Sequence, residues 1–115
     1  MRILILEDDP LIGLDLLGIV QGCGHDVIGV CPTLDSMRQH LGAEPDFAFL
    51  DVDLPDGKSF DIATRLEERG VPFAFVSASR RGDVPEHLRH AHFIAKPYAD
   101  VAIRNALNSD GRVAC

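Results

Sequence analysis

The sequence predicts an α/β fold, a doubly wound five-stranded parallel sheet covered by helices on both faces. Short, nearly uninterrupted apolar runs recur at 2–6, 26–31, 46–51, 72–77 and 92–95, which is how strands buried on both faces read. Stretches with helical spacing separate them through short connections, as in a repeated βα unit. Four of the five runs hand a polar side chain to their carboxyl end: Glu7, Asp51, Ser77 and Lys96. In open sheets of this kind the crevice beyond those ends is where ligands bind.

Each element has its own local reason. R-I-L-I-L at 2–6 ends on Glu7-Asp8-Asp9-Pro10, with Asp9 placed to cap and Pro10 to open a helix running to about residue 21. That helix carries Leu11, Ile12, Leu14, Leu16, Leu17, Ile19 and Val20, more apolar surface than one face can hold, and the surplus reads as further core or, failing that, as a docking or dimer face. Gly22 to Gly24 stops it, and D-V-I-G-V-C at 26–31 is the second strand. A weaker helix follows Pro32 and Thr33 and ends near Gly42, with Leu34, Met37 and Leu41 at helical spacing. The third strand, F-A-F-L before Asp51, meets an acidic loop, D-V-D-L-P-D-G, in which Asp56 reads as a turn residue. Phe60, Ile62, Ala63 and Leu66 form the inner stripe of a helix over 59–69, closed by Gly70. P-F-A-F-V-S is the fourth strand. Only about seven residues, 85–91, are left to form a fourth helix before the strand at 92–95, and a last helix spans 99–108 with a frayed tail beyond it.

Composition narrows the function. A chain of 115 residues with 46% apolar and 25% charged residues reads as one compact domain over 1–115. Its net charge of -7 disfavours direct nucleic-acid or anionic-membrane binding. No run approaches the roughly 18 apolar residues of a membrane span, and no signal-peptide pattern precedes the first strand, which points to a cytoplasmic protein. Cys23, Cys31 and Cys115 lack metal-ligand spacing and read as structural. His87, His90 and His92 are splayed by their short helical and strand context, and Arg80 and Arg81 read as a solvated loop.

The strand ends carry the chemistry. Glu7, Asp8 and Asp51 converging on one cleft repel one another unless a cation is supplied, and a hard divalent ion such as Mg²⁺ suits their oxygen ligands. With Lys96 to neutralise charge, Ser77 to donate a hydrogen bond and Asp51 as nucleophile, the set is equipped for phosphoryl transfer.

E-D-D-P after the first strand, D-x-D-L-P-D-G after the third, S-A after the fourth and K-P-Y after the fifth together resemble the receiver domain of two-component response regulators, of the flavodoxin-like (βα)5 architecture typified by CheY-like proteins. The resemblance covers nearly the whole chain. It implies that Asp51 accepts a phosphoryl group from a histidine kinase or histidine phosphotransfer protein, and that Glu7 and Asp8 hold Mg²⁺. It further implies that Asp53 offers the metal its backbone carbonyl, that Ser77 and Lys96 contact the phosphoryl group, and that Phe93 turns inward as Ser77 moves. Pro97 stands where a cis peptide bond commonly aims the lysine. Such a domain signals by phosphorylation-dependent docking or onward transfer, and at most catalyses its own phosphorylation and dephosphorylation.

The chain departs from the family pattern at Ser59, where receivers usually have Gly, and at the short fourth helix. P-F-A-F-V-S-A-S resembles the stand-alone FAT GUY subgroup, whose motif has Gly-Tyr where this chain has Ala78-Ser79. The chain ends directly after the last helix, which reads as a receiver without an output domain. Two rival classes remain: a pseudo-receiver that binds without phosphorylation, and a haloacid dehalogenase-type phosphatase using Asp51-Val52-Asp53 as its D-x-D motif.

Overall fold

The computed structural model describes residues 1–108. Its chain order is β1 (Arg2–Leu6), α1 (Pro10–Gly22), β2 (Asp26–Cys31), α2 (Leu34–His40) with a 3₁₀ turn over Leu41–Ala43, β3 (Phe47–Leu50), β4 (Asp53–Leu54), β5 (Gly57–Lys58), α3 (Phe60–Glu68), β6 (Phe73–Ser77), 3₁₀ turns at Arg81–Asp83 and Glu86–Leu88, β7 (His92–Ala95) and α4 (Asp100–Asn108). Five strands form a parallel sheet in the order β2-β1-β3-β6-β7, and β4 and β5 make a separate antiparallel pair. The order reverses direction at β1 and β3, so a crevice opens between their carboxyl ends. This is the doubly wound, flavodoxin-like sheet expected from the sequence.

Alternation along the central strands builds two cores, because successive side chains point to opposite faces. Leu4, Leu6, Ala48, Leu50, Phe73 and Phe75 lie with Met37 of α2, with Ile62 and Leu66 of α3, and with Val84 and Leu88 from the 3₁₀ turns. Ile3, Ile5, Phe47, Phe49, Ala74, Val76 and Ile94 lie with Leu16, Ile19 and Val20 of α1 and with Ile103, Ala106 and Leu107 of α4. Cys31 is a buried free thiol in the first of these, and Cys115 lies outside the described residues, as does the tail expected to fray.

Helix α1 is capped as expected, with Asp9 Oδ1 accepting from the Leu11 N–H at 2.9 Å. Its surplus apolar residues divide between core and surface. Leu11 and Leu14 stay 77% and 64% exposed. Among the described residues no helix is long and apolar enough to cross a membrane.

Two expectations are corrected. Residues 85–91 do not form an α-helix; the crossover from β6 to β7 contains only the two 3₁₀ turns. Pro85 has no N–H to offer and drives Val84 into an extended conformation at φ -79, ψ 135, so helical bonding cannot run through. Arg89 replaces it in part, its Nε donating to Val84 O at 2.8 Å and its Nη2 to Gly82 O at 3.2 Å. The second correction is Asp56, which is more than a turn residue. Its carboxylate accepts the N–H of Leu34 at 2.9 Å and of Asp35 at 3.2 Å, capping the first turn of α2 from 22 and 21 residues away.

Deleting the ring of Phe75, which is 1% exposed and contacts Phe60, Phe73 and Phe93, should cost about 3–5 kcal/mol in urea unfolding. Asp56 supplies a pH-dependent contribution. The Leu34 amide, joined by the Asp35 amide and the Arg38 charge, holds its carboxyl below the ordinary value, so its stabilisation is present above that value and is lost as pH falls through the lowered one. Asp56→Ala should therefore melt below wild type at neutral pH, with the difference closing on acidification.

Candidate functional site

Register brings the acids together. Leu6 of β1 pairs with Leu50 of β3, so the next residues, Glu7 and Asp51, leave adjacent strands side by side. Glu7 N–H donates to Cys31 O and Asp51 N–H to Leu6 O, both at 2.9 Å, which carries the ladder one residue beyond each strand. Glu7 and Asp51 are buried while Asp8 is exposed, and one carboxylate oxygen from each of the three lies within 4.8 Å of the others. Among the described residues this is the one such cluster of acidic, histidine or cysteine ligands. The three histidines 87, 90 and 92 do not converge: His87 Nε2 lies 3.1 Å from Thr64 Oγ1, and His90 pairs with Glu67.

Lys96 reaches the acids from the other side of the sheet edge. Its N–H donates to Ser77 O at 2.9 Å, its peptide bond to Pro97 is cis, and its Nζ lies 2.9 Å from Asp51 Oδ2 and 2.5 Å from Glu7 Oε1. The contact with Glu7 is an ion pair without the angles of a hydrogen bond, so that buried oxygen has a charge beside it but no directed donor. Glu7 Oε2 accepts the Asp9 N–H at 3.0 Å, and Asp51 Oδ1 the Val52 N–H at 2.7 Å.

The electrostatics show a site short of positive charge. Burial pushes the Glu7 carboxyl above its ordinary value, Lys96 and the Asp9 amide oppose this, and the Asp51 charge adds to it. Burial pulls the Lys96 ammonium down, but its close contact with Glu7, its hydrogen bond to Asp51 and the charges of both outweigh that and leave it above an ordinary lysine. One ammonium thus faces three carboxylates. The all-oxygen donor set and the undirected Glu7 Oε1 fit a hard divalent cation.

Ser77 is 1% exposed at the end of β6, and its Oγ accepts the Ser79 N–H at 3.1 Å. Phe93 on β7 is half-buried and pairs with Phe75, two residues before Ser77, its ring centroid 6.3 Å from that of Phe75, while Ser77 itself pairs with Ala95. Asp53 lies on β4, where its carboxylate pairs with Lys58 and accepts a 2.6 Å hydrogen bond from Ser79 Oγ. The Lys58 and Ser79 bonds hold that carboxyl below the ordinary range. Sequence reasoning missed both the hairpin and the role of Ser79, since only the juxtaposition of two distant loops creates them. Ser59, in place of the usual Gly, is wholly buried, and its N–H donates to Val52 O at 3.0 Å as α3 begins.

No protein-family model matches the chain. It is 38% identical over 102 residues to the phyllosphere-induced regulator PhyR of Methylorubrum extorquens, covering 84% of this chain and 38% of that protein. The solution structure of the receiver domain of PhyR from Erythrobacter litoralis superposes with a TM-score of 0.82 at 26% identity, over 94% of this chain and 87% of that one. The chain is a response-regulator receiver domain. A CheY-like receiver protein from Methanospirillum hungatei shares the fold at a TM-score of 0.82 and 23% identity, over 95% and 91% of the two chains. The receiver domain spans about two fifths or less of the length of the curated relatives it matches, at 38%, 34% and 26%. Receivers of this kind are signalling modules rather than classical enzymes.

The raised Glu7 carboxyl has a measurable consequence. A carboxyl held above its unfolded value favours the fold when protonated and opposes it as pH rises through the folded value. Without divalent ions, Glu7→Gln should therefore melt above wild type at neutral pH, and the gain should vanish in acid; thermal unfolding in chelator across pH checks this.

Proposed function

We propose that this receiver domain accepts a phosphoryl group on Asp51 from a histidine kinase or a histidine phosphotransfer protein, with Mg²⁺ held by Glu7, Asp8 and Asp51 and by the Asp53 backbone carbonyl. The observation that carries the reading is Asp51 itself: buried at the strand switch point, inside a three-carboxylate cluster, with Lys96 Nζ at 2.9 Å. A carboxylate oxygen attacks the phosphorus of a phosphohistidine, the P–N bond breaks as the P–O bond forms, and the ring nitrogen departs with its electron pair. The product is an acyl phosphate on Asp51. Lys96 neutralises charge on the transferred group, and Ser77 at the neighbouring strand end donates a hydrogen bond to it. Bound Mg²⁺ supplies the remaining positive charge.

The donor has a landing surface at the exposed Leu11, since Leu11 and Ile12 line the same cleft as Lys96, Pro97 and Tyr98. Apolar side chains flanking a reactive acid suit a helical partner presenting a histidine. Signal output follows when Ser77 and Phe93 rearrange with the phosphoryl group and change the surface around β7 and α4. The phosphatase alternative is disfavoured by Asp53, whose carboxylate is engaged by Lys58 and Ser79 rather than presented as a free acid.

With Mg²⁺ and acetyl phosphate, intact mass should show one phosphoryl group on the wild type and none on Asp51→Asn, and chelating the metal should abolish the gain. An unmodified wild type under these conditions would mark the domain as a pseudo-receiver.

A further inference from the structure

The hydrogen bond from Ser79 Oγ to Asp53 Oδ2 joins two segments that flank the acidic cluster, the stretch after β6 and the hairpin after Asp51. Ser79 also donates its N–H to Ser77 Oγ. The contacts run in series: Asp53 holds the Ser79 side chain, and the Ser79 backbone holds the Ser77 hydroxyl oxygen. Asp53 is braced in turn by Lys58 on the facing strand of its own hairpin, so the series ends on a closed two-stranded unit. Ala78, between the two serines, is exposed.

From this geometry we infer that Ser79 is a positioning residue, a latch that ties the stretch after β6 to Asp53 and so holds the Ser77 hydroxyl in its unmodified-state position. The inference rests on the reading of Asp51 as phosphoacceptor. A hydroxyl can accept and donate at once, so the Ser79 N–H does not block Ser77 from donating to a phosphoryl oxygen. It fixes where the Ser77 oxygen sits. Any movement of that oxygen toward a group on Asp51 draws Ser79 with it and strains the 2.6 Å contact with Asp53. The latch therefore opposes the modified state, and its strength sets part of the threshold for switching.

The test titrates beryllofluoride, with Mg²⁺ present, into wild type, Ser79→Ala and Ser79→Thr, following the amide signals of Ser77 and Phe93. Ser79→Ala should reach half-saturation at about five-fold lower beryllofluoride, the equilibrium value of one ordinary hydrogen bond, and Ser79→Thr, which keeps the hydroxyl, should return it toward wild type. A merely structural role for Ser79 would leave the midpoint unchanged or raise it, and either result overturns the latch. If the wild type itself gives no saturable shift, the reading of Asp51 fails and the latch falls with it, an outcome distinct from an unchanged midpoint in Ser79→Ala.

Discussion

A single ammonium, that of Lys96, faces the carboxylates of Glu7, Asp8 and Asp51 at one sheet edge. That imbalance depends on topology before it depends on any side chain. Neighbouring parallel strands lie about 4.8 Å apart, so acids placed one residue beyond β1 and β3 meet whether or not their charges favour it. The hydrophobic faces of the two strands keep them in register, and burial of Leu6 and Leu50 makes withdrawal of either acid costly. Core packing thus holds together charges that would separate in water.

Much of this was legible in the sequence because the strands end abruptly. An apolar run that stops on an acid, a serine or a lysine announces where the strand ends, and Glu7, Asp51, Ser77 and Lys96 all lie at the strand ends such runs placed them at. Features made by contacts between distant segments were not legible. Asp56 looks like any turn aspartate until α2 is seen to begin above it, and Ser79 looks incidental until the β4–β5 hairpin brings Asp53 within 2.6 Å. The missing fourth helix was a local signal read too generously: Pro85 suits a helix start, and only the structure shows that the segment after it closes as a single 3₁₀ turn at Glu86–Leu88.

Helix α1 had the opposite difficulty. Its apolar residues exceed what one face can bury, and sequence alone could not divide them between core and surface. The structure does: Leu16, Ile19 and Val20 enter the core against Ile3, Ile5 and Phe49, while Leu11 and Leu14 remain exposed, Leu11 in the cleft that Lys96 also lines and Leu14 on the side facing α4. The same helix therefore stabilises the sheet and offers an exposed apolar side chain, Leu11, in the cleft lined by Lys96.

The crossover between β6 and β7 has a further consequence. An α-helix resists bending as a unit, since its bonds form and break together. Two separate 3₁₀ turns, bridged by the guanidinium of Arg89, have no such collective stiffness. Val84 and Leu88 pin the stretch to the core at two points, leaving the backbone between and around them to be reshaped piecemeal. In mechanical terms this side of the molecule is a hinged cover rather than a rigid rod, and small displacements at the strand ends can be taken up there one turn at a time.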